Sequence, residues 1–100
     1  MGKHYLLNLY DCPYELLNNE LLLRQIISEA SIACKANLVG IVSKQFHPQG
    51  VTVLGLLSES HISIHTWPEI GSAMADICTC GEARPELGCQ VLINKLEAVC

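Results

Sequence analysis

The chain has 100 residues, half of them hydrophobic and 16% charged, with a formal net charge of −4. No basic block or arm relieves that acidity, which disfavours both a nucleic-acid footprint and an anionic membrane surface. One hundred residues make a single domain, 1–100, with a thin stability margin, and so high an apolar share predicts surface covered by a second copy. The opening Met-Gly-Lys-His-Tyr lacks an apolar core with a small-residue cleavage site. No run approaches the ~18 apolar residues of a membrane span, so a cytoplasmic location is expected. Without a secretory signal the six cysteines are read as thiols, with Cys12, Cys34 and Cys89 as core residues; Cys78, Cys80 and the terminal Cys100 complete the set.

Lys3 to Tyr10 alternates roughly polar and apolar and stops at Asp11-Cys12-Pro13, which predicts a first strand. From about Tyr14 or Asn19 to Lys35, apolar residues recur at three-to-four spacing and Glu20 pairs with Arg24 at i,i+4. This predicts a long amphipathic helix capped by Asn18 or Asn19. Asn37 to Gln45 reads as a strand and Phe46 to Gly50 as a loop, followed by an almost wholly apolar strand, Val51 to Leu57, placed at the sheet centre. Ile62, Ile64 and Thr66 alternate with His61, Ser63 and His65, so both histidines share one face of a fourth strand ended by Trp67-Pro68. Ser72 to Thr79 is a fifth strand, and Pro85 to Val99 returns to helical spacing. With one clear crossover helix among five strands, the expected fold is α+β: a two-layer sandwich with a mostly antiparallel sheet and two helices on one face.

The chemistry is concentrated between Ser58 and Glu82. His61, His65, Cys78 and Cys80 are four zinc-type ligands, but i,i+4 histidines on a strand lie ~13 Å apart, too far to share one ion, so no metal is expected there. Ser60 and His65 lack the Gly-x-Ser-x-Gly elbow of a hydrolase, and a lone Ser-His pair is usually incidental. The remaining reading is self-processing. A serine in a strained turn attacks its own upstream carbonyl, and elimination of the resulting ester leaves a pyruvoyl ketone able to form a Schiff base with a substrate amine. This would equip a short chain for demanding chemistry without a cofactor domain.

Ser58 to Glu69, followed by Asp76-Ile-Cys-Thr-Cys-Gly-Glu82, resembles the prokaryotic S-adenosylmethionine decarboxylase proenzymes. The likeness extends through Phe46-His-Pro-Gln-Gly-Val-Thr52 and, more loosely, to Gly2-Lys-His4 and Tyr10-Asp-Cys12. It implies cleavage between Glu59 and Ser60 into residues 1–59 and 60–100, with Ser60 becoming the pyruvoyl group. It further implies His65 as the processing histidine, Thr52 where the family has a processing serine, Cys80 as proton donor, Glu69 on the ribose hydroxyls and Phe46 on adenine. The partners it implies are S-adenosylmethionine and a second protomer, with the product supplying aminopropyl groups to polyamine synthesis. Cys78 departs from the family's bulky aromatic and is expected on the face opposite Cys80; relatives also continue beyond position 100. Three alternatives stand beside this reading: the same fold decarboxylating arginine or ornithine, a non-processing dimeric binding module, and a Cys/His metal-binding module that metal analysis would exclude.

Taken singly, each carried residue has a plainer role: His65 as a hydrogen-bonded sheet histidine, Phe46 as a loop anchor, Trp67 and Cys80 as core filler, Glu69 as a solvated carboxylate. Their joint spacing favours the functional reading. His61 and Ser58 receive no role from it.

Overall fold

Strand alternation sets the architecture, because every second residue of each central strand is apolar and must be covered. A computed structural model describes residues 2–99, so Cys100, read above as a thiol, lies outside the described residues. The elements are β1 (Lys3–Leu9), α1 (Tyr14–Leu17), α2 (Glu20–Ala33), β2 (Leu38–Gln45), β3 (Val51–Leu57), β4 (Ser60–Trp67), a 3-10 turn over Pro68–Ile70, β5 (Ser72–Thr79) and α3 (Pro85–Lys95). The five strands form one sheet in the order β1-β5-β4-β3-β2, antiparallel throughout. α2 lies over β2 and β3 and α3 over β1 and β5, and the two helices touch each other. This is the expected α+β sandwich. Among the described residues no helix is long and apolar enough to cross a membrane.

The core fills the space between sheet and helices. Val53, Ile62, Ile64 and Ile77 meet Leu23, Ile26 and Ile27 of α2 and Leu92 of α3, all buried to within 2% of full coverage. Each such side chain contributes on the order of 1.5–3 kcal/mol by leaving water. Close approach depends on Gly88 in α3, where an added Cβ would collide with Cys34 Sγ and Ile77 Cδ1. Asn19 is the helix cap: its side chain accepts from Leu22 N at 3.0 Å. Asn18 has a different task, accepting from Gly50 N at 3.0 Å and from Gln45 Nε2 at 2.9 Å, so it ties the helix entry to the Phe46–Gly50 loop.

Three expectations on the elements are corrected. Of the two starts expected for the long helix, Asn19 holds as its cap and Tyr14 does not: Tyr14–Leu17 is a separate short helix, parted from α2 where Asn18 and Asn19 turn to these bonds. The last helix stops at Lys95 because Glu97 adopts a left-handed φ of 54°, and Val99 turns back to bridge Tyr10. β3 is interior but β4 is the central strand. The apolar run of β3 misled because Leu54 and Leu56 do not enter the core; they are 45% and 58% exposed on the sheet face that carries no helix.

That open face can be read row by row from the ladder, in the order β1, β5, β4, β3, β2. Nearest the β3–β4 turn stand His4, Cys78, His61, Leu56 and Gly40; next come Leu6, Asp76, Ser63, Leu54 and Val42; then Asn8, Met74, His65, Thr52 and Lys44. Polar side chains crowd the β1–β5–β4 half, Leu6 and Met74 apart, and aliphatic ones the β3–β2 half, with Leu56 58% and Val42 62% exposed.

Candidate active site

Chemistry-bearing side chains gather at the two ends of β4. At its start, Ser58 and Glu59 form the turn from β3, and Ser60 is the first strand residue, in register with Leu57. Cys80 follows the last residue of β5, and its thiol donates to the Glu59 carbonyl oxygen at 3.7 Å. That oxygen belongs to the peptide bond joining Glu59 to Ser60, so the expected scissile bond and the expected proton donor are neighbours. Both face a cavity of about 700 Å³ also lined by Lys35, Asn37, Glu82 and Arg84. Backbone bonds hold its walls: Ser58 N donates to Asn37 O at 3.0 Å and Arg84 N to Cys34 O at 2.7 Å. Among the described residues no aromatic side chain lines it.

At the other end of β4, Thr52 Oγ1 and His65 Nδ1 are hydrogen-bonded at 3.0 Å as register partners across β3 and β4. They border a smaller hollow of about 260 Å³ with Phe46, Gln49, Trp67 and Glu69. The frame is stiff. Phe46 N donates to Gly50 O at 2.7 Å, the His47–Pro48 peptide is cis, and buried Thr66 accepts from Val51 N at 2.9 Å while donating to Leu17 O at 2.8 Å. Phe46 and Trp67 remain 46% and 41% exposed, which removes the reading of Trp67 as core filler.

Within one protomer the two groups do not meet. Five residues separate Ser60 from His65, ~16 Å along a strand, and an odd separation points their side chains to opposite faces. Glu59, Ser60 and Cys80 therefore stand together, and Thr52, His65, Phe46 and Glu69 stand together elsewhere. Nor do His61, His65, Cys78 and Cys80 assemble as a ligand set. Cys78 lies on the open face in register with His61, as a strand residue two before Cys80 should if the strand ran on. The expectation of opposite faces was wrong in its reason: residues two apart share a face, and the two thiols part only because β5 ends at Thr79, releasing Cys80 towards Ser60.

Sequence reasoning missed two residues that the ladder brings to His61. His4 and His61 each hydrogen-bond Asp76 Oδ2 through Nε2, at 2.8 and 3.0 Å, and Ser63 Oγ donates to Asp76 Oδ1. Burial alone would raise the Asp76 pKa, but the hydrogen bonds from Ser63, His4 and His61 outweigh it and hold the carboxyl below the ordinary Asp value. His4 and Asp76 both lie inside stretches that carry the family likeness, but three separate strands contribute to the cluster, which only a known strand order reveals.

Comparison with known proteins bears on the family and the fold. Residues 3–99 match the family model described as S-adenosylmethionine decarboxylase. The S-adenosylmethionine decarboxylase proenzyme of Prochlorococcus marinus (strain MIT 9313) is 48% identical over 99 residues, spanning 98% of this chain and 79% of the relative. That of Methanococcus aeolicus is 49% identical over 82 residues, spanning 82% and 70%. The crystal structure of the adenosylmethionine decarboxylase from Aquifex aeolicus VF5 superposes with a TM-score of 0.90 at 31% identity, over 98% of this chain and 82% of that one. A match along nearly the whole chain, in sequence and in fold, places it: the chain belongs to the S-adenosylmethionine decarboxylase family.

Proposed function

We propose that the chain decarboxylates S-adenosylmethionine after cutting itself between Glu59 and Ser60, and that each working site is assembled from two protomers. The observation that carries this reading is the division of the site residues between opposite ends and opposite faces of β4. Neither half suffices. The Ser60 cavity has the reactive groups but no aromatic wall, and the His65 hollow has the aromatics but falls below the ~300–1,000 Å³ usual for ligand pockets. A two-fold dimer through the open sheet face would bring the Thr52–His65 pair of one copy to the Ser60 turn of the other. The exposed aliphatic side chains of that face supply the apolar surface such an interface requires.

In processing, Ser60 Oγ attacks the Glu59 carbonyl carbon, which the Cys80 thiol polarises by donating to its oxygen. The Glu59–Ser60 C–N bond breaks to leave an ester and a free amine. The partner's Thr52–His65 pair moves the protons as the Ser60 α-proton is removed and the Glu59 carboxylate leaves, and water then replaces the nitrogen, lost as ammonia, to give the ketone. The residues around Ser60 fit the group so formed, since a side chain opening a strand at a tight turn becomes a free N-terminus facing the cavity. The ketone supplies an electron sink for a substrate amine. Phe46 and Trp67 flank the adenosine, Glu69 accepts from the ribose hydroxyls, and Cys80 returns a proton to the α-carbon after carbon dioxide leaves.

Intact mass tests the cut: fragments 1–59 and 60–100 should form without added protease, the second blocked at its N-terminus. Persistence of the uncut chain on long incubation refutes it. Mixing tests the shared site. Neither His65→Ala nor Ser60→Ala should cleave alone, but in a one-to-one mixture roughly half of the His65→Ala chains, the share lying in mixed dimers, should be cut. Complete failure of the mixed dimer to cut would return the site to a single protomer.

A further inference from the structure

His4, His61 and Asp76 converge on the open face, and no role given above uses them. We propose that these three side chains bind one divalent transition-metal ion of the zinc class. The two His–Asp ligand-atom distances are 2.8 and 3.0 Å, and all three ligand atoms lie within 4.8 Å of one another. Zinc ligands bonded at ~2.0–2.1 Å in a tetrahedron stand roughly 3.3 Å apart, so small side-chain rotations admit the ion without moving the backbone. Two imidazoles and one carboxylate match zinc and its neighbours, whereas calcium and magnesium require oxygen-rich sets.

The surroundings resemble a ligand set held from behind. Ser63 donates to Asp76 Oδ1 and leaves Oδ2 to the histidines, the kind of outer hydrogen bond that orients a metal-binding carboxylate. Each ligand stands on a different strand of one continuous ladder, β1, β5 and β4, so the sheet fixes their spacing. Cys78, in register with both histidines, is a small residue and a soft donor in the same patch. In the single protomer the side chains of His4 and His61 are 50% and 46% exposed, on the face that the proposed dimer would cover, so the ion would enter before the two faces meet. Binding requires the Nδ1–H tautomer of each imidazole, so that both Nε2 lone pairs face the ion. A bound ion would clamp the edge strand β1 to the sheet centre, independently of Ser60 and His65.

Calorimetric titration of the full chain with Zn²⁺, after removal of metal by a chelator, tests the site. A single ion per chain is expected. His61→Gln and Asp76→Asn should weaken binding by ~100-fold or more and Ser63→Ala by ~10-fold, the scale of a lost outer hydrogen bond. Cys80→Ser should leave it unchanged. The unsubstituted chain gives a second readout that no folding defect can mimic: Zn²⁺ should shift the ring-proton resonances of His4 and His61 and leave those of His47 and His65 in place. Absence of stoichiometric binding, binding that survives both His61→Gln and Asp76→Asn, or unmoved His4 and His61 signals would each overturn the proposal in favour of a cluster that holds only protons.

Discussion

The two ends of β4 are built by different means. At the Ser60 end a two-residue turn and the loop after β5 hold reactive groups around an open cavity, mostly through backbone bonds. At the Trp67 end a buried threonine and Asn18 hold a small aromatic hollow from behind with side-chain bonds. A group that must rearrange its own backbone needs room, while a surface that recognises a flat heterocycle needs rigidity. One eight-residue strand keeps the two demands apart, and the proposed dimer would reunite them.

The largest expected effect bears on the reactive end. Ser60→Ala should abolish both fragment formation and carbon dioxide release while leaving the fold intact, as read by circular dichroism; retention of either activity would dissolve the distinction between the ends. Cys80→Ala separates the two reactions at that end: fragments should still form, more slowly because the thiol also touches the Glu59 carbonyl, but decarboxylation should fall by ~10²-fold or more. Equal, small losses from Cys80→Ala and Cys78→Ala would reduce Cys80 to packing.

Recognition at the rigid end should respond more mildly. Glu69→Gln removes a charged acceptor worth ~1.5–3 kcal/mol, so kcat/KM should drop by roughly 10- to 100-fold with cleavage unaffected. Thr66→Val tests the frame alone. It leaves Val51 N and Leu17 O without their buried partner and should lower unfolding stability by ~1–3 kcal/mol in a denaturant titration. The smallest effect belongs to the cluster between the ends. Because the folded Asp76 pKa lies below its unfolded value, its stabilising contribution is complete above the ordinary Asp range and fades as pH falls through the lowered folded value. Asp76→Asn, measured in chelator, should flatten that acid limb and leave the neutral-pH fold unchanged.

Periodicity made most of the fold legible. The apolar spacing of α2, the alternation of β4 and the Pro-Gly punctuation of the Phe46–Gly50 loop each carry a local signal that tertiary packing did not override. Hydrophobicity misplaced the sheet centre because Leu54 and Leu56 cover a face rather than a core. Among site residues, Ser60, His65, Cys80 and Glu69 were named through the family likeness, but their division into two groups follows from strand parity and from where β5 ends. The His4–His61–Asp76 cluster joins positions as far as 72 residues apart, and spacing along one chain holds no trace of such a meeting.

The strand order would have a consequence for a molecule cut as proposed. Residues 1–59 contribute β1, β2 and β3, and residues 60–100 contribute β4 and β5, so the sheet order β1-β5-β4-β3-β2 inserts the second piece between parts of the first. Two ladders, β1 with β5 and β3 with β4, and the contact of α2 with α3 all cross the break. A nick there releases nothing. It turns a unimolecular folding reaction into an association of two peptides, so a processed molecule that unfolds can return only at a rate set by concentration. The proposed cleavage would thereby act as a ratchet: the chain would fold while it is one piece, and the folded sheet would afterwards preserve an arrangement that the separated pieces would be slow to find again.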